Sequence, residues 1–310
     1  MAPRIFLTGS VRSGTTMLRL MMNSHPSICD FGEFEYSVKD APATGWLDHE
    51  TYKTKIEADR HFSQLDLTIP EGADQKACAL DFWEQHRAKT DKPILSATVH
   101  SQFHRLPELW PDARYIYLRR DPRDVARSCV QMGWGGNTFA GASFWVDAEE
   151  RLEKLQQQVA PENILMVRYE DVLENVEHEL TRICEFIGVP YSDKMLTYPE
   201  TSTYSAVDPS LSYQWKRKQS ESDIRQTEAL VGDRLQAAGY EPSGLPPLNL
   251  SPDVVLGLKV KNRVVRLQNA IKREGIVNWT MFKYSHLLPA APGARSIRAK
   301  KHQIEISRLK

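Results

Sequence analysis

The chain has 310 residues, 41% of them hydrophobic and 26% charged, which is the composition of a soluble globular protein of one large domain or two small ones. Its four cysteines are far apart and form no Cys-x-x-Cys pair, which argues against a disulfide framework or structural zinc and favours a reducing compartment. No apolar run reaches the ~18–20 residues of a membrane span, and the first residues lead into a strand-like segment rather than a secretion signal. We therefore expect a cytoplasmic protein.

The formal net charge is zero, but the charges are unevenly distributed. Residues 251–310 hold 13 Lys or Arg against 3 Asp or Glu, so the first 250 residues carry an equal acidic surplus. We expect a main domain at 1–250 and a basic helical extension at 251–310. The extension either packs on the acidic body or binds an anionic membrane surface or a protein partner. A homodimer is left open, and no nucleic-acid partner is expected.

Strand-like and helical apolar patterns alternate along the chain. The predicted strands are 5–7, 93–97, 113–118 and 163–169, and the predicted helices are 15–25, 103–110, 122–132, 142–159, 176–187, 222–238 and 254–271. Residues 276–288 are expected to pack through Trp279 and Phe282. Residues 37–90 have weak periodicity, and we expect helices and loops that cover a site rather than form core. The alternation predicts an α/β fold, a three-layer α/β/α arrangement around a central parallel sheet, with ligands at the carboxyl ends of its strands.

The segment GSVRSGTT, residues 9–16, follows the first strand and opens the first helix. Glycines five apart followed by hydroxyl residues are typical of a phosphate-binding loop, in which backbone N–H groups and the helix dipole hold an anion. A nucleotide-hydrolysing loop has a lysine where this chain has Thr15. The predicted phosphate contacts are therefore Arg12, Ser13, Gly14, Thr15 and Thr16, with Arg12 as the nearest cation.

A second charged segment, LRRDPRDVARS at 118–128, runs from the clearest strand into a helix. Some of its arginines are expected to pair with its aspartates. Arg120 at the strand end and Ser128 in the helix can reach one phosphate, since arginine offers a planar fork of donors.

Together, GSVRSGTT and YLRRDPRDVARS resemble the 5′-phosphosulfate loop and the 3′-phosphate segment of the sulfotransferases that use 3′-phosphoadenosine 5′-phosphosulfate (PAPS). RYEDVLENVEHELTRICEFIGVP and DPSLSYQWKRKQS with EALVGDRLQAAGYEP extend the resemblance over residues 4–242. It implies a sulfotransferase domain at 1–250 with a P-loop-like fold, in which Arg120 and Ser128 hold the 3′-phosphate and Tyr169 lies near the nucleotide. The sequence most resembles bacterial sulfotransferases that are similar to tyrosylprotein sulfotransferases.

The reaction implied by the resemblance is in-line attack of an acceptor hydroxyl or amine on sulfur, with adenosine 3′,5′-bisphosphate (PAP) as the product. The absent lysine fits this reaction, because a phosphosulfate has fewer charges to neutralise than a triphosphate, and Arg12 can serve the bridging oxygen without a metal. The alternatives are a P-loop kinase and a non-catalytic binder of adenosine phosphates.

Two residues are candidates for the general base that takes the acceptor proton. Glu33 in FGEFEY resembles the glutamate base of tyrosylprotein sulfotransferases, with Glu35 as the near miss. His100 in SATVH follows a strand, a placement like that of the catalytic histidine in the cytosolic sulfotransferases. We prefer Glu33.

The resemblance has one departure and one weaker part. Tyrosylprotein-like members have a lysine at a position where ungapped spacing places Leu95 in this chain. Lys92 lies upstream, on what should be the strand's other end. The absence of the lysine weakens the case for a protein tyrosine as acceptor. The weaker part is the late segment, which is either a solvated loop or a cover over the nucleotide. In the second case its candidate ligands are Ser212 for the sulfuryl group and Lys216, Arg217 and Lys218 for the 3′-phosphate. The acceptor is a small molecule, a carbohydrate or a peptide.

Overall fold

Five parallel strands form one sheet in the order β2-β3-β1-β4-β5. The structure is a computed structural model that describes residues 3–59 and 61–287 and the single positions 293, 296, 297, 300 and 304, so most of the predicted extension beyond 287 lies outside the described residues. The strands are β1 (Arg4–Gly9), β2 (Ile28–Glu33), β3 (Ile94–Val99), β4 (Arg114–Arg119) and β5 (Ile164–Arg168).

Helices cover both faces of this sheet. They are α1 (Thr15–Ser24), α2 (His49–Glu57), α3 (Gln75–Arg87), α4 (Pro122–Gln131), α5 (Thr138–Gln156), α6 (Tyr169–Glu174), α7 (Val176–Ile187), α8 (Trp215–Lys218), α9 (Glu221–Val231), α10 (Arg234–Ala237), α11 (Pro252–Glu274) and α12 (Ile276–Leu287). Successive residues of β1 enter different cores: Phe6 packs with α2 and α3, whereas Ile5 and Leu7 pack with α1 and α7. This alternation is the period of a strand buried on both faces, and it confirms the predicted three-layer fold.

Strand β2 was not predicted from the sequence. It is an edge strand beside β3, and its burial alternates along ICDFGE, so it lacks the continuous apolar run of the inner strands. The strand matters because its last residue, Glu33, is thereby brought to the same edge as the end of β3.

The prediction that residues 37–90 only cover a site was wrong. Aromatic side chains from this segment lie in the largest core cluster, including Tyr52, Phe62, Phe82 and Trp83, each at most 7% exposed. Trp83 contacts Phe6 of β1, with ring centroids 5.2 Å apart. The periodicity was weak because the apolar residues are divided among two helices and irregular turns.

The predicted helix at 222–238 is two helices. Gly232 separates α9 from α10 with a backbone φ of 58° and ψ of −139°, angles that stop an α-helix. Helix α11 lies against the loop before α5: Gly136 N–H donates to Asn262 Oδ1 at 2.7 Å, and Asn137 Nδ2 donates to the Leu258 carbonyl at 2.8 Å. Within the described ranges, no helix is both long and apolar enough to cross a bilayer.

Candidate active site

A cavity of about 950 Å³ opens at the carboxyl edge of the sheet. All five strands contribute to its wall, because parallel strands end on the same side. The contributing side chains, in strand order from β1 to β5, are Arg12, Glu33, His100, Arg120 and Tyr169. Each of them was predicted from the sequence as a site residue, and the fold brings all five to the same cavity.

The loop between β1 and α1 wraps closely around this edge. Gly14 has a φ of +97°, and a Cβ built on it would lie 2.4 Å from the ring of Tyr169. Gly9 has a φ of +141°, and its Cβ would lie 2.3 Å from the Leu118 carbonyl oxygen. Only glycine fits these two positions, where both the backbone angle and the space exclude a side chain. The loop thus lines the cavity at the start of α1, where a phosphate site is expected.

Two arginines connect this loop to the second motif. Arg12 Nε donates to Ser128 Oγ at 3.0 Å, and Arg120 Nη1 donates to the Arg12 carbonyl at 3.1 Å. The Arg120 guanidinium lies 4.3 Å from the centroid of the Tyr169 ring, a cation–π contact that fixes its plane. The two predicted phosphate motifs thus form one continuous cationic wall.

The neighbouring arginines of the second motif are used in structural ion pairs, as expected for some of them. Arg119 pairs with Glu149 at 2.6 Å, and Arg123 pairs with Asp121 and with Glu228, each at 2.7 Å. Arg123 is almost fully buried, so its two carboxylate partners are required there. Arg120 is the arginine of this segment that faces the cavity.

The residues of the wall fit a nucleotide that carries a 5′-phosphosulfate and a 3′-phosphate. The Ser13 hydroxyl in the loop and Nε of Arg120 are both buried and lack a hydrogen-bond partner in the described part of the chain. Buried donors of this kind are costly unless a ligand or water pairs with them. One belongs to the motif predicted for the 5′ end and the other to the motif predicted for the 3′-phosphate.

Glu33 and His100 lie next to each other on the cavity wall. His100 Nε2 lies 3.9 Å from Glu33 Oε2 and 3.3 Å from Thr15 Oγ1, while His100 Nδ1 lies 2.9 Å from the Gly9 carbonyl oxygen. Because a carbonyl only accepts, Nδ1 carries a proton, and in a neutral ring Nε2 accepts the hydrogen bond of Thr15. The Glu33 carboxylate accepts no hydrogen bond from any described residue.

Glu35 lines the same cavity, but its carboxylate is occupied. Its oxygens accept the backbone N–H groups of His100 and Ser101, the latter at 3.0 Å, and the Ser101 hydroxyl. Glu35 therefore holds the turn that carries His100. Glu33, the preferred base, is the carboxylate left available on this side of the cavity.

Neither Leu95 nor Lys92 reaches the cavity. Leu95 lies near the amino end of β3 and is 3% exposed in the core. Lys92 Nζ donates to the carbonyls of Asn23 and Ile28, at 2.6 and 2.9 Å, beside the same end of the strand. Ungapped spacing thus selected a core position, and the identity of residue 95 says nothing about the acceptor.

Two basic side chains on the wall, Arg151 and His61, were missed from the sequence. Arg151 is in the middle of α5, among alternating charges, and lies 3.9 Å from Asp147 one turn earlier. Nothing in its local sequence distinguishes it from a solvated helix face. His61 comes from the loop after α2, where no motif marks it.

The late segment, 208–220, packs against α4, and although Asp208 and Leu211 line the cavity, none of its four predicted ligands does. Trp215 N–H donates to Asp124 Oδ1 at 2.8 Å, which fixes the start of α8. Of the predicted ligands, Lys218 Nζ donates to Gln214 Oε1 at 3.0 Å, Arg217 donates to the Ser210 carbonyl, and Lys216 Nζ lies 5.0 Å above the Tyr213 ring. The Ser212 hydroxyl is buried with no partner in the described ranges. These contacts order the segment, while Lys216, Arg217 and Lys218 stay exposed, and its contacts with a nucleotide stay a prediction.

Burial changes the pKa of acidic groups behind the wall. It raises the pKa of Asp30 to about 6, although Ser96 Oγ and Gly32 N–H donate to its carboxylate at 2.6 and 2.9 Å. It also raises the pKa of Asp124 to about 6 and that of Glu170 to about 7. Among the described residues, no group of three His, Cys, Asp or Glu side chains is placed to hold a metal ion.

The fold and the site define a phosphate-binding α/β protein with a cationic nucleotide cavity. The sequence profile of the sulfotransferase family matches residues 3–193, and the chain belongs to this family. Protein-tyrosine sulfotransferase A of Caenorhabditis elegans is 25% identical over 296 residues, which cover 84% of this chain and 73% of that protein. The protein-tyrosine sulfotransferase of Drosophila melanogaster is 23% identical over 278 residues, 81% of this chain and 54% of that one.

A solved structure, the sulfotransferase domain from the curacin biosynthetic pathway, shows the same fold. It superposes with a TM-score of 0.58 at 20% identity, covering 79% of this chain and 99% of that domain. Membership of the family confirms the predicted enzyme, a sulfotransferase with PAPS as its sulfuryl donor. It replaces the two alternatives weighed from the sequence, a kinase and a non-catalytic binder.

Proposed function

We propose that the protein transfers the sulfuryl group of PAPS to a tyrosine hydroxyl of a peptide or protein acceptor. When bound, PAPS supplies the sulfuryl group and leaves as PAP. The observation that supports the proposal is the convergence of two phosphate motifs and the Glu33 carboxylate on one cavity.

The cationic wall would hold the donor. The loop N–H groups, the Ser13 hydroxyl and Arg12 bind the 5′ end, while Arg120 and Ser128 bind the 3′-phosphate. Arg12 is suited to the 5′ end, because its Nε donates to Ser128 and its terminal nitrogens have no hydrogen-bond partner among the described residues. A bidentate guanidinium held in one plane is the strongest side-chain donor for an oxyanion.

Glu33 would be the general base. A base must be within hydrogen-bond reach of the proton that it takes, and its lone pairs must be available. The Glu33 carboxylate meets the second condition, whereas in the neutral His100 ring one nitrogen donates to Gly9 and the other accepts from Thr15. His100 then has a positioning role: it orients the Thr15 hydroxyl and lies beside the carboxylate that takes the proton.

The tyrosine acceptor is supported by the lining of the cavity. It includes Trp134 and Tyr204, which are 36% and 43% exposed, so solvent-accessible aromatic surface borders the cavity. Aromatic walls suit a phenolic ring. The relatives named as protein-tyrosine sulfotransferases point to the same acceptor class.

The test is transfer of labelled sulfate from PAPS to three kinds of acceptor: tyrosine peptides, small phenols and oligosaccharides. Each tyrosine peptide is paired with the same peptide carrying phenylalanine at that position. We expect label in the tyrosine peptide and none in its phenylalanine control. Label confined to phenols or sugars would remove the peptide proposal while leaving the sulfotransferase assignment intact.

A further inference from the structure

Helix α11 exposes a stripe of aliphatic side chains. Leu256, Val260, Val264 and Leu267 are 62%, 49%, 46% and 41% exposed. Their spacing of four, four and three residues places them on one face of the helix. Such a stripe in a soluble domain normally faces the core, yet no residue of α11 is buried.

The opposite face of α11 is the one attached to the body. Asn262 and Leu258 bond to the loop at 136–137, and a Cβ on Gly136 would lie only 2.5 Å from the Asn262 carbonyl oxygen. Asn262 is two residues from both Val260 and Val264, which is more than half a turn around the helix at ~3.6 residues per turn. The stripe therefore points away from the protein.

Cations border this stripe on both sides. Lys259 and Arg263 each come one residue before a stripe position, and Lys261 comes one residue after one. Helices α11 and α12 together hold seven Lys or Arg and two acidic residues. One of the acids, Glu274, is paired with Arg273 at 2.9 Å. Lys259, Lys261 and Arg263 are all exposed, and they form no ion pair within the described ranges.

Helix α12 also exposes apolar side chains. Ile276, Val277 and Leu287 are 64%, 68% and 77% exposed. The loop that holds α11 through Gly136 also places Trp134 on the wall of the active-site cavity.

We propose that the α11 stripe and its bordering cations bind the surface of an anionic lipid bilayer. An aliphatic stripe between lysines and arginines, on a helix whose other exposed residues are mostly polar, is the arrangement that lies in a lipid interface, with the apolar residues among the acyl chains and the cations at the phosphates. A second copy of the chain is a poorer occupant, because two-fold pairing of this face would set its cations against the same cations. The inference is independent of which acceptor the enzyme uses.

Co-sedimentation of the whole protein with vesicles tests the proposal. The probes are phosphatidylcholine vesicles and phosphatidylcholine vesicles that also contain phosphatidylserine. We expect binding to the mixed vesicles only, and weakening by added salt. Failure to bind the mixed vesicles, or equal binding to both kinds, would overturn it.

Two double variants separate the apolar and electrostatic contributions. Val260→Asn with Val264→Asn removes the stripe, and Lys261→Glu with Arg263→Glu reverses its border. Both should weaken binding to mixed vesicles by about tenfold or more. The matched control is Lys53→Glu with Lys76→Glu, the same charge change at exposed lysines on the body, which should bind as the wild type does.

The oligomeric state tests the competing explanation, that the stripe pairs two copies of the chain. If light scattering shows a dimer in the wild type and a monomer in Val260→Asn with Val264→Asn, the stripe pairs copies of the chain and the lipid proposal is wrong. Circular dichroism of each variant establishes that it is folded. Sulfuryl transfer in solution should be unchanged in all of them, since none of the substituted residues lines the cavity.

Discussion

Replacing Gly14 by alanine tests whether the loop must approach Tyr169 closely. An alanine at a φ of +97° costs about 1–2 kcal/mol, and its methyl group would lie 2.4 Å from the Tyr169 ring. Displacing that buried ring costs about 1–3 kcal/mol more, so the free energy of unfolding should fall by about 2–5 kcal/mol. The ring also supports the Arg120 guanidinium, so PAP should bind at least tenfold more weakly, a loss of about 1.4 kcal/mol.

The control for this variant is Gly72→Ala. Gly72 has a φ of +71°, and a methyl group at that position would have no neighbouring atom within 4 Å, so the variant reports the cost of the backbone angle alone. Urea unfolding and calorimetric titration with PAP are measured on both variants. If Gly14→Ala is no less stable than Gly72→Ala and binds PAP like the wild type, the close packing of loop and ring is wrong.

Three further predictions concern acidic residues and metal ions. Glu33→Gln should lower kcat by a factor of about 10²–10⁴ with little change in stability or in PAP affinity. Glu35→Ala should lose about 1–3 kcal/mol of stability, because the N–H groups of the His100 turn lose their acceptor. The opposite pattern in turnover and urea unfolding would exchange the roles of the two glutamates. As the pH rises from about 4 to about 6, the unfolded chain releases the Asp30 proton while the folded chain keeps it. The free energy of unfolding of the wild type should therefore fall by about 3 kcal/mol relative to that of Asp30→Asn. A difference between the two proteins that does not vary with pH would contradict the buried carboxyl. Chelation by EDTA should leave PAP affinity and turnover unchanged, since the guanidinium groups of Arg12 and Arg120 line the cavity and can neutralise the phosphates; loss of activity that Mg²⁺ restores would refute this.

The placement of Glu35 shows how the edge strand organises the site. Strand β2 ends at Glu33, and the turn that follows brings Glu35 to the backbone of His100 and Ser101 at the end of β3. One short segment thus supplies both the available carboxylate and the one that fixes the neighbouring turn. Glu33 and Glu35 are two positions apart, and only the hydrogen bonds of their carboxylates distinguish the two roles.

The sequence by itself determined the parts of this protein whose chemistry is local. GSVRSGTT needs its glycines for the turn and its donors for the anion. The Arg120 segment needs a strand that leads into a helix. Both motifs can therefore be recognised from residues that are consecutive in the sequence. Short-range periodicity likewise predicted four of the five strands and the parallel three-layer fold.

The tertiary structure decided everything that depends on contacts between distant segments. It buried the aromatic residues of 37–90 beside Phe6, placed Leu95 in the core, and brought Arg151 to the cavity wall from the middle of a helix. It also turned the apolar stripe of α11 outward, although the same spacing suits a core-facing helix. Helical and strand periods fix which residues share a face, but what that face meets is set by packing between elements far apart in the chain.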